Sequence, residues 1–488
     1  MTHALGRRGT LCLLLAAALL VTGCKRNEER PAAPAPKPPV AGLQPSLEWL
    51  EGRLPADVGR GEPKRGGTLT IRVHNEPPHL SSHVLDPRDL VATRITIGRV
   101  YDTLLKVDAK DHPRYGLRPS AAESWEESKD HLTYTFHLRR GMKFHDGRPV
   151  TAHDVEATMA AILDPELPTG STRSFFVDVA EQKALDEHTY RVKLKKPYFL
   201  FLRQIATDVP IMPKHLLASG DFRTNPLHRA PVGSGPWKFV EWKKLHSITL
   251  ARNEAYWGPK PHLDTLVFRI VPDHTVATQL FERGEFDVMT QIQHSVWVDM
   301  DRSEKLVRDF HRIRFFPNNY EWVGWNQDRP FFADKRVRTA LALLFDRDTF
   351  NRTVLQNLEK PTACHFFHAG PDCDPALTPL PYDPARARRL LTEAGWVPGD
   401  DGIRSKDGRK FRFTFLVPSN SVFLSKLVVH LKEAYRKEGI EMEIARAEWS
   451  VFTRRLIERD FDACSLLWGT NDATNDPYQT WHSSQIDG

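Results

Sequence analysis

The sequence predicts an α/β protein built from more than one lobe. Three observations carry this. The chain has 488 residues, too many for one hydrophobic core, and implies two or three domains. Beyond about residue 64, stretches with helical apolar spacing alternate with short period-2 runs, the pattern of α/β lobes. A helix–strand phrase also recurs: LFER at Leu280–Arg283 precedes Phe286–Met289, and LIER at Leu456–Arg459 precedes Phe461–Cys464, as in two lobes built on related plans. With 40% apolar and 27% charged residues the composition is that of a soluble globular protein. The net charge of +6 is small for this length, and no dense Lys/Arg cluster sits on a nucleic-acid module, so nucleic acid is not an expected partner.

Residues 1–24 read as an export signal rather than as part of the fold. Arg7 and Arg8 give a positive start and Leu11–Val21 is an apolar run. That run is too short to span a bilayer, which takes about 20 apolar residues. Val21-Thr22-Gly23-Cys24 resembles a bacterial lipobox, which makes Cys24 the expected lipidation site and the membrane contact a lipid anchor only. Residues 25–63 contain a Pro/Ala-rich run from Pro31 to Pro39 with little hydrophobic periodicity, and are expected to be an extended tether. Leu47, Trp49 and Leu50 fit one helical turn within it. Localisation is therefore expected to be periplasmic or at the cell surface.

The remaining cysteines agree with export. Cys364 and Cys373 bracket a loop and, in an oxidising compartment, are expected to pair as a disulfide. Cys364, His365, His368 and Cys373 are also all metal-capable, although their spacing matches no standard zinc module. Cys464 sits in an apolar run and reads as a small buried hydrophobe.

In chain order, Gly66–Val73 reads as the first strand and Asp89–Leu105 as a helix with Leu90, Ile97, Val100 and Leu104 on one face. Leu132–Leu138 alternates as a half-buried strand, Met142–Phe144 reads as a short second strand, and Asp146-Gly147 as a tight turn. Thr151 with Asp154 forms a capping box opening a helix that carries Val155, Met159 and Ile162. Gly233-Ser234-Gly235 is a tight backbone corner leading into a strand at Trp237–Val240, and so not a phosphate loop, which would open onto a helix. Asp273, Asp346 and Asp383-Pro384 are helix starts; Gly284, Gly395 and Gly439 are helix stops. Tyr320–Asn326 and Ile440–Ile444 read as strands, and Val337–Phe345, Leu424–Tyr435 and Val451–Arg459 as helices.

No Gly-x-Ser-x-Gly elbow and no His-Glu-x-x-His motif occurs. The 21 histidines are scattered, and His131, His137, His145 and His153 read as surface or core residues. No catalytic residue, metal site or cofactor is expected.

The run from Ala122 to Val155 (AESWE, then LTYTFHLRRGMKFHDGRPVTAHDV), with YDTLL at Tyr101–Leu105, PVGSGPWKF at Pro231–Phe239 and NEAYWG at Asn253–Gly258, resembles the family 5 extracellular solute-binding proteins. These are oligopeptide-, dipeptide- and nickel-type receptors feeding ABC importers. The resemblance covers about 64–488. It implies two lobes of the type II periplasmic-binding-protein fold joined by a hinge, with an additional small α+β domain. Lobe I would comprise 64–104 and 196–317, the extra domain 105–195, and lobe II 318–488, the last lacking the several dozen residues by which the family continues. It implies a monomer that captures a peptide and passes it to ABC permease and ATPase subunits. Nickel chelates and oligosaccharides are alternative cargoes; a secreted hydrolase and a ligand-sensing lipoprotein are rivals of other classes.

The resemblance also implies a site. The family's ammonium-binding aspartate follows a tryptophan on a late strand, matched by Trp468 and the run Gly469, Thr470, Asn471, Asp472, with Asp476 at an Asp-Pro position. Asn471 stands at the usual aspartate offset, which makes Asp472 the candidate for the ammonium contact. Trp325, Asn326 and Trp449 match cleft-lining positions. Arginines that meet the peptide carboxylate in some members have no counterpart; Leu456 and Ser465 stand there.

Overall fold

A computed structural model describes residues 47–49, 62–81, 84–85, 89–108, 116–217, 221–290, 292–300, 303–310, 313–315, 319–366, 368, 372–419, 421–469, 477 and 481–483. All lie within one contact unit, Val40–Gly488.

The folded chain opens with strand β1, Thr68–Val73. Helix α1 runs only from Leu90 to Thr96, capped by the Asp89 carboxylate on the Ala92 amide at 2.7 Å. It is shorter than its apolar spacing implies because Gly98 takes φ +70° and the chain turns back on itself at Ile97–Tyr101. Leu90 points outward, 56% exposed, whereas Val100 and Leu104 are buried beyond the helix. A four-stranded antiparallel sheet follows, in the order Ala122–Glu127 (β2), Thr133–Leu138 (β3), Thr189–Leu194 (β5), Val179–Ala184 (β4). In β3 the alternation puts Tyr134, Phe136 and Leu138 inward. Met142 and Phe144 are buried as well, but they make no strand; only Lys143 bridges to Pro149. Helix α2, Ala152–Leu163, covers this sheet with Val155, Met159 and Ile162 buried. Asp154 closes its capping box on the Thr151 amide at 2.8 Å and also accepts from the Lys214 amide at 2.8 Å, so the helix start is fixed to a distant segment.

The chain then completes a second sheet with Trp237–Lys243 (β6), Ser247–Arg252 (β7) and Thr265–Ile270 (β8), in the order β1-β8-β7-β6, and continues into helix α3, His274–Glu282, capped by the Asp273 carboxylate on the Val276 amide at 2.8 Å. β1 and β8 are parallel. Arg72 on β1 is fully buried and donates to the carbonyls of Val271, Pro272 and Thr290 at 3.0–3.2 Å, tying three chain segments together. Leu47–Trp49, expected as a helical turn, is instead a short strand parallel to Ile313–Phe315. That pairing joins residues far apart in sequence, which local periodicity cannot reveal.

A third sheet follows, with Asn319–Trp325 (β9), Arg412–Pro418 (β10), Glu441–Ala447 (β11) and Ala463–Gly469 (β12) in the order β9-β12-β10-β11. β12, β10 and β11 run parallel, and β9 runs antiparallel to β12 at the edge. One face packs against helices Lys335–Leu343 (α4), Arg347–Val354 (α5), Pro384–Glu393 (α6) and Val422–Arg436 (α7), around a core of Phe332, Leu341, Phe411, Phe415 and Tyr435. Each such ring removed from water is worth roughly 1.5–3 kcal/mol. The other face carries a smaller cluster with Leu416, Cys464 and Phe452 of helix α8, Trp449–Ile457. Cys464 is a buried free thiol whose pKa burial pushes up to about 12, in keeping with a packing role. A separate, larger core holds the first two sheets together, from Phe136 and Tyr190 to Ile248 and Phe268. No helix among the described residues is long and apolar enough to cross a membrane.

Within that larger core three sequence phrases meet on one carboxylate. Asp102, fully buried, accepts from Trp257 Nε1 at 2.9 Å, Ser234 Oγ at 3.2 Å and the Tyr256 hydroxyl at 3.2 Å, with Lys106 Nζ at 3.4 Å. Burial pushes its pKa up, while Lys106 and the three donors pull it back. Gly233 and Gly235 are needed here for close approach rather than for positive φ. A Cβ on either would come within 1.9 Å of the Val100 carbonyl oxygen or 2.2 Å of that of Arg99. His145 completes the corner: its Nδ1 accepts from the Gly233 amide at 3.2 Å and its Nε2 donates to the Gly235 carbonyl at 3.0 Å.

That geometry requires a neutral imidazole, and burial pushes its pKa down to about 4. Because the folded value lies below the unfolded one, near 6.5, this stabilisation is complete above pH 6.5 and is lost as pH falls toward 4. Urea titrations at pH 7.5, 6 and 5 should show His145→Gln with a shallower loss of stability on acidification than the parent. The difference should reach at most about 3 kcal/mol. Parallel curves for the two proteins would show that His145 is not the titrating group.

Candidate functional site

The third sheet places its ligand-facing end by strand direction. In open α/β sheets ligands meet the carboxyl ends of the parallel strands. Here those ends are Pro418–Ser419 of β10, Ala447 of β11 and Gly469 of β12. Because β9 is antiparallel, its first residue, Asn319, lies beside Gly469 at the same end. Trp468 lies there, 36% exposed, and pairs with Tyr320. Trp449 begins helix α8 directly after β11, 49% exposed, with its ring stacked on Phe452 at 5.6 Å. Thr470, Asn471, Asp472 and Asp476 lie outside the described residues.

Trp325 and Asn326 are not brought to it. They stand at the far end of β9, opposite Ala463, about 20 Å along the strand from Asn319. Trp325 packs among Phe332, Phe413, Phe415 and Tyr435 with ring centroids 5.1–6.4 Å away. Asn326 donates to the carbonyls of Arg459 and Phe461 at 3.1 and 2.9 Å and accepts from the Asp328 amide at 3.1 Å. Where the resemblance implies cleft-lining positions, the structure sets both residues in the framework that joins β9 to the start of β12.

Sequence reasoning missed the alternating partners on β9. Tyr320 and Trp322 share one face with Trp468, and the Trp322 and Trp468 rings lie 6.0 Å apart. Gly324 on that same face makes room, since a Cβ there would fall 2.3 Å from the Trp322 ring. The Tyr320 hydroxyl hydrogen-bonds His365 Nδ1 at 2.6 Å, and the His365 ring meets Trp481 edge-on at 5.5 Å. His365 belongs to the loop closed by a Cys364–Cys373 disulfide, whose Cα atoms are 6.0 Å apart. Among the described residues no group of three or more side chains is arranged to hold a metal ion.

The opposite face of β9 presents Glu321. Ser465 on β12, fully buried, places its Oγ 3.1 Å from the Glu321 carboxyl and 2.7 Å from the Trp322 carbonyl, so its one proton serves two acceptors. Burial pushes the Glu321 pKa up to about 7, and the serine bond only partly offsets this. The period-2 reading of NYEWVGW at Asn319–Trp325 could have separated these two faces; the direction of the strand could not be read from it. A surface groove of about 620 Å³ runs from Ser419, at the carboxyl end of β10, between α5 and the start of α7, lined by Ser421, Ser425, Lys426 and His430 among others. None of the expected ligand residues lines it.

A mixed α/β structure whose solved neighbours are periplasmic binding proteins has the type II periplasmic-binding-protein fold. A family profile described as "Bacterial extracellular solute-binding proteins, family 5 Middle" matches residues 116–488. The oligopeptide-binding protein AppA of Bacillus subtilis is 31% identical over 450 residues, covering 88% of this chain and 78% of that protein. Its crystal structure with a nonapeptide superposes with a TM-score of 0.70 at 28% identity, covering 87% of this chain and 83% of that one. The nickel-binding periplasmic protein of Escherichia coli is 26% identical over 416 residues, 83% of this chain and 76% of its own. The chain belongs to the family 5 bacterial extracellular solute-binding proteins. It is a binding protein, not an enzyme.

Closing a loop across the 9-residue separation of Cys364 and Cys373 removes chain entropy from the unfolded state worth about 2–3 kcal/mol. Urea unfolding with and without reductant should differ by that amount, and the Cys364→Ser/Cys373→Ser double variant should match the reduced parent. An unchanged midpoint would mean that the bridge adds nothing to stability.

Proposed function

We propose that this protein is the extracytoplasmic substrate-binding component of an ABC importer and that its cargo is short peptides. The single observation that carries the peptide reading is the likeness to AppA over 88% of this chain and 78% of that protein, whose solved structure is in complex with a nonapeptide. The gathering of Trp468, Tyr320, Trp322 and Trp449 at one end of the third sheet supports it, because aromatic walls bury apolar side chains of many shapes.

In this reading, 64–104 with 196–317 form the first lobe, 105–195 the extra domain and 318–488 the second lobe. The separate cores on either side of Asn319 are consistent with that division. An extended peptide would be enclosed as the lobes close. Its main chain would then find hydrogen-bond partners once water is excluded, and Asp472 would meet its ammonium group. The ligand's preference for the closed state drives closure. The peptide is released unaltered to permease and ATPase subunits. Cys24 carries the lipid anchor, residues 25–63 tether the folded part near the membrane, and the protein acts as a monomer. The likeness to the nickel-binding protein makes a nickel chelate the second cargo to be weighed.

Thermal unfolding and tryptophan fluorescence with a random tripeptide pool test this. A ligand at 100 times its dissociation constant adds about 2.7 kcal/mol to stability. A rise in melting temperature with a fluorescence change is expected. No response to peptides together with a response to nickel–histidine mixtures would assign a metal chelate instead, and peptide cleavage would exclude a binding protein.

A further inference from the structure

We propose that Glu321, held by Ser465 at the carboxyl end of the third sheet, is an anionic receptor for a cationic group of the cargo, an ammonium or a guanidinium. The inference rests on the reading of this end as the ligand site. It differs from the ammonium contact expected of Asp472, which follows β12, because Glu321 lies on the neighbouring strand β9, across from Leu467.

Three features of the position support it. First, the carboxyl group is fixed from below: Ser465, with none of its surface exposed, holds Oγ 3.1 Å from one of its oxygens while it also bonds the Trp322 carbonyl at 2.7 Å. Second, its neighbours on this face are exposed although Glu321 itself is half-buried. Leu467, directly opposite Glu321 and on the same face, is 51% exposed, and Asn319 at the strand end is exposed too. Farther along, over Val323 and Trp325, the same face is packed into the core. Third, no lysine, arginine or histidine among the described residues pairs with Glu321; burial and the serine bond are the whole of its electrostatic setting. A carboxylate withdrawn from water without a cation is costly, and a ligand cation that docks on it recovers that cost and adds a charge-assisted hydrogen bond. Leu467 alongside suits the aliphatic part of such a ligand.

The cation could come from a peptide's free amino terminus or from a basic side chain, and the test separates the two. Calorimetric titrations would use the full chain and its Glu321→Gln variant with Ala-Ala-Ala, N-acetyl-Ala-Ala-Ala, Ala-Lys-Ala and Ala-norleucine-Ala, together with the non-peptide cations agmatine and spermidine. Glu321→Gln should fold with an unchanged or higher melting temperature, since it removes an unpaired buried acid. It should lose at least tenfold in affinity for the ligands whose cation docks there. If that cation is the terminus, acetylation should weaken the parent and leave the variant indifferent; if it is a side chain, replacing lysine by norleucine should do so. Binding of agmatine or spermidine that depends on Glu321, with no peptide binding, would retain the receptor and reject the peptide cargo. A folded variant that binds every ligand as the parent does, or a parent that binds none of these cations, would overturn the proposal.

Discussion

The larger of the two main cores is organised around a buried charge. Asp102 draws an indole, a phenol and a serine hydroxyl from segments more than a hundred residues away, with Lys106 four residues on completing the set, and those three distant donors are stranded without it. Removing an acceptor from such a set costs more than any one bond contributes, because every unpaired donor retains its desolvation penalty. The glycines at 233 and 235, the neutral imidazole of His145 and the Asn253 amide on the Gly235 carbonyl all follow from bringing these segments into contact. Two sheets then share one continuous core, and Arg72 fixes the edge of one of them to the segments that lead away from it.

The third sheet uses a different device. On a single edge strand, alternate residues face different surroundings, so β9 serves the framework at one end and the proposed ligand surface at the other. Its far end is closed by Trp325 among phenylalanines and by Asn326 on two carbonyls. Its near end is left open, with Tyr320 and Trp322 on one face and Glu321 on the other. A disulfide-closed loop reaches the same end through His365. Where the sheet is covered by helices it is a core; where its parallel strands end it becomes a surface with the chemistry to hold a ligand.

Much of this was legible locally. Helix starts at Thr151, Asp273, Asp346 and Asp383 rest on side chains reaching an amide two or three residues away, so the sequence contains both partners. The alternation of Thr133–Leu138 needed only the period of a strand. The overrun of the helix after Asp89 came from trusting apolar spacing past Gly98, where the backbone turns left-handed. What stayed hidden was non-local. The partners of Asp102 and the pairing of Leu47–Trp49 with Ile313–Phe315 join residues far apart in the chain. The family phrase around Trp325 and Asn326 identified a strand correctly, but which of its ends meets the cargo depends on β9 running antiparallel to β12. No short stretch encodes that orientation.

The central claim is that cargo meets the carboxyl end of the third sheet. Photocrosslinking of the full chain with a benzophenone-bearing tripeptide, mapped by mass spectrometry, addresses it most directly. The account predicts attachment within Asn319–Trp322, around Trp449 and from Ser465 onward through Asp476, suppressed by excess unlabelled tripeptide. Suppressible attachment confined to the opposite end of the sheet, around Trp325–Asn326, would contradict it.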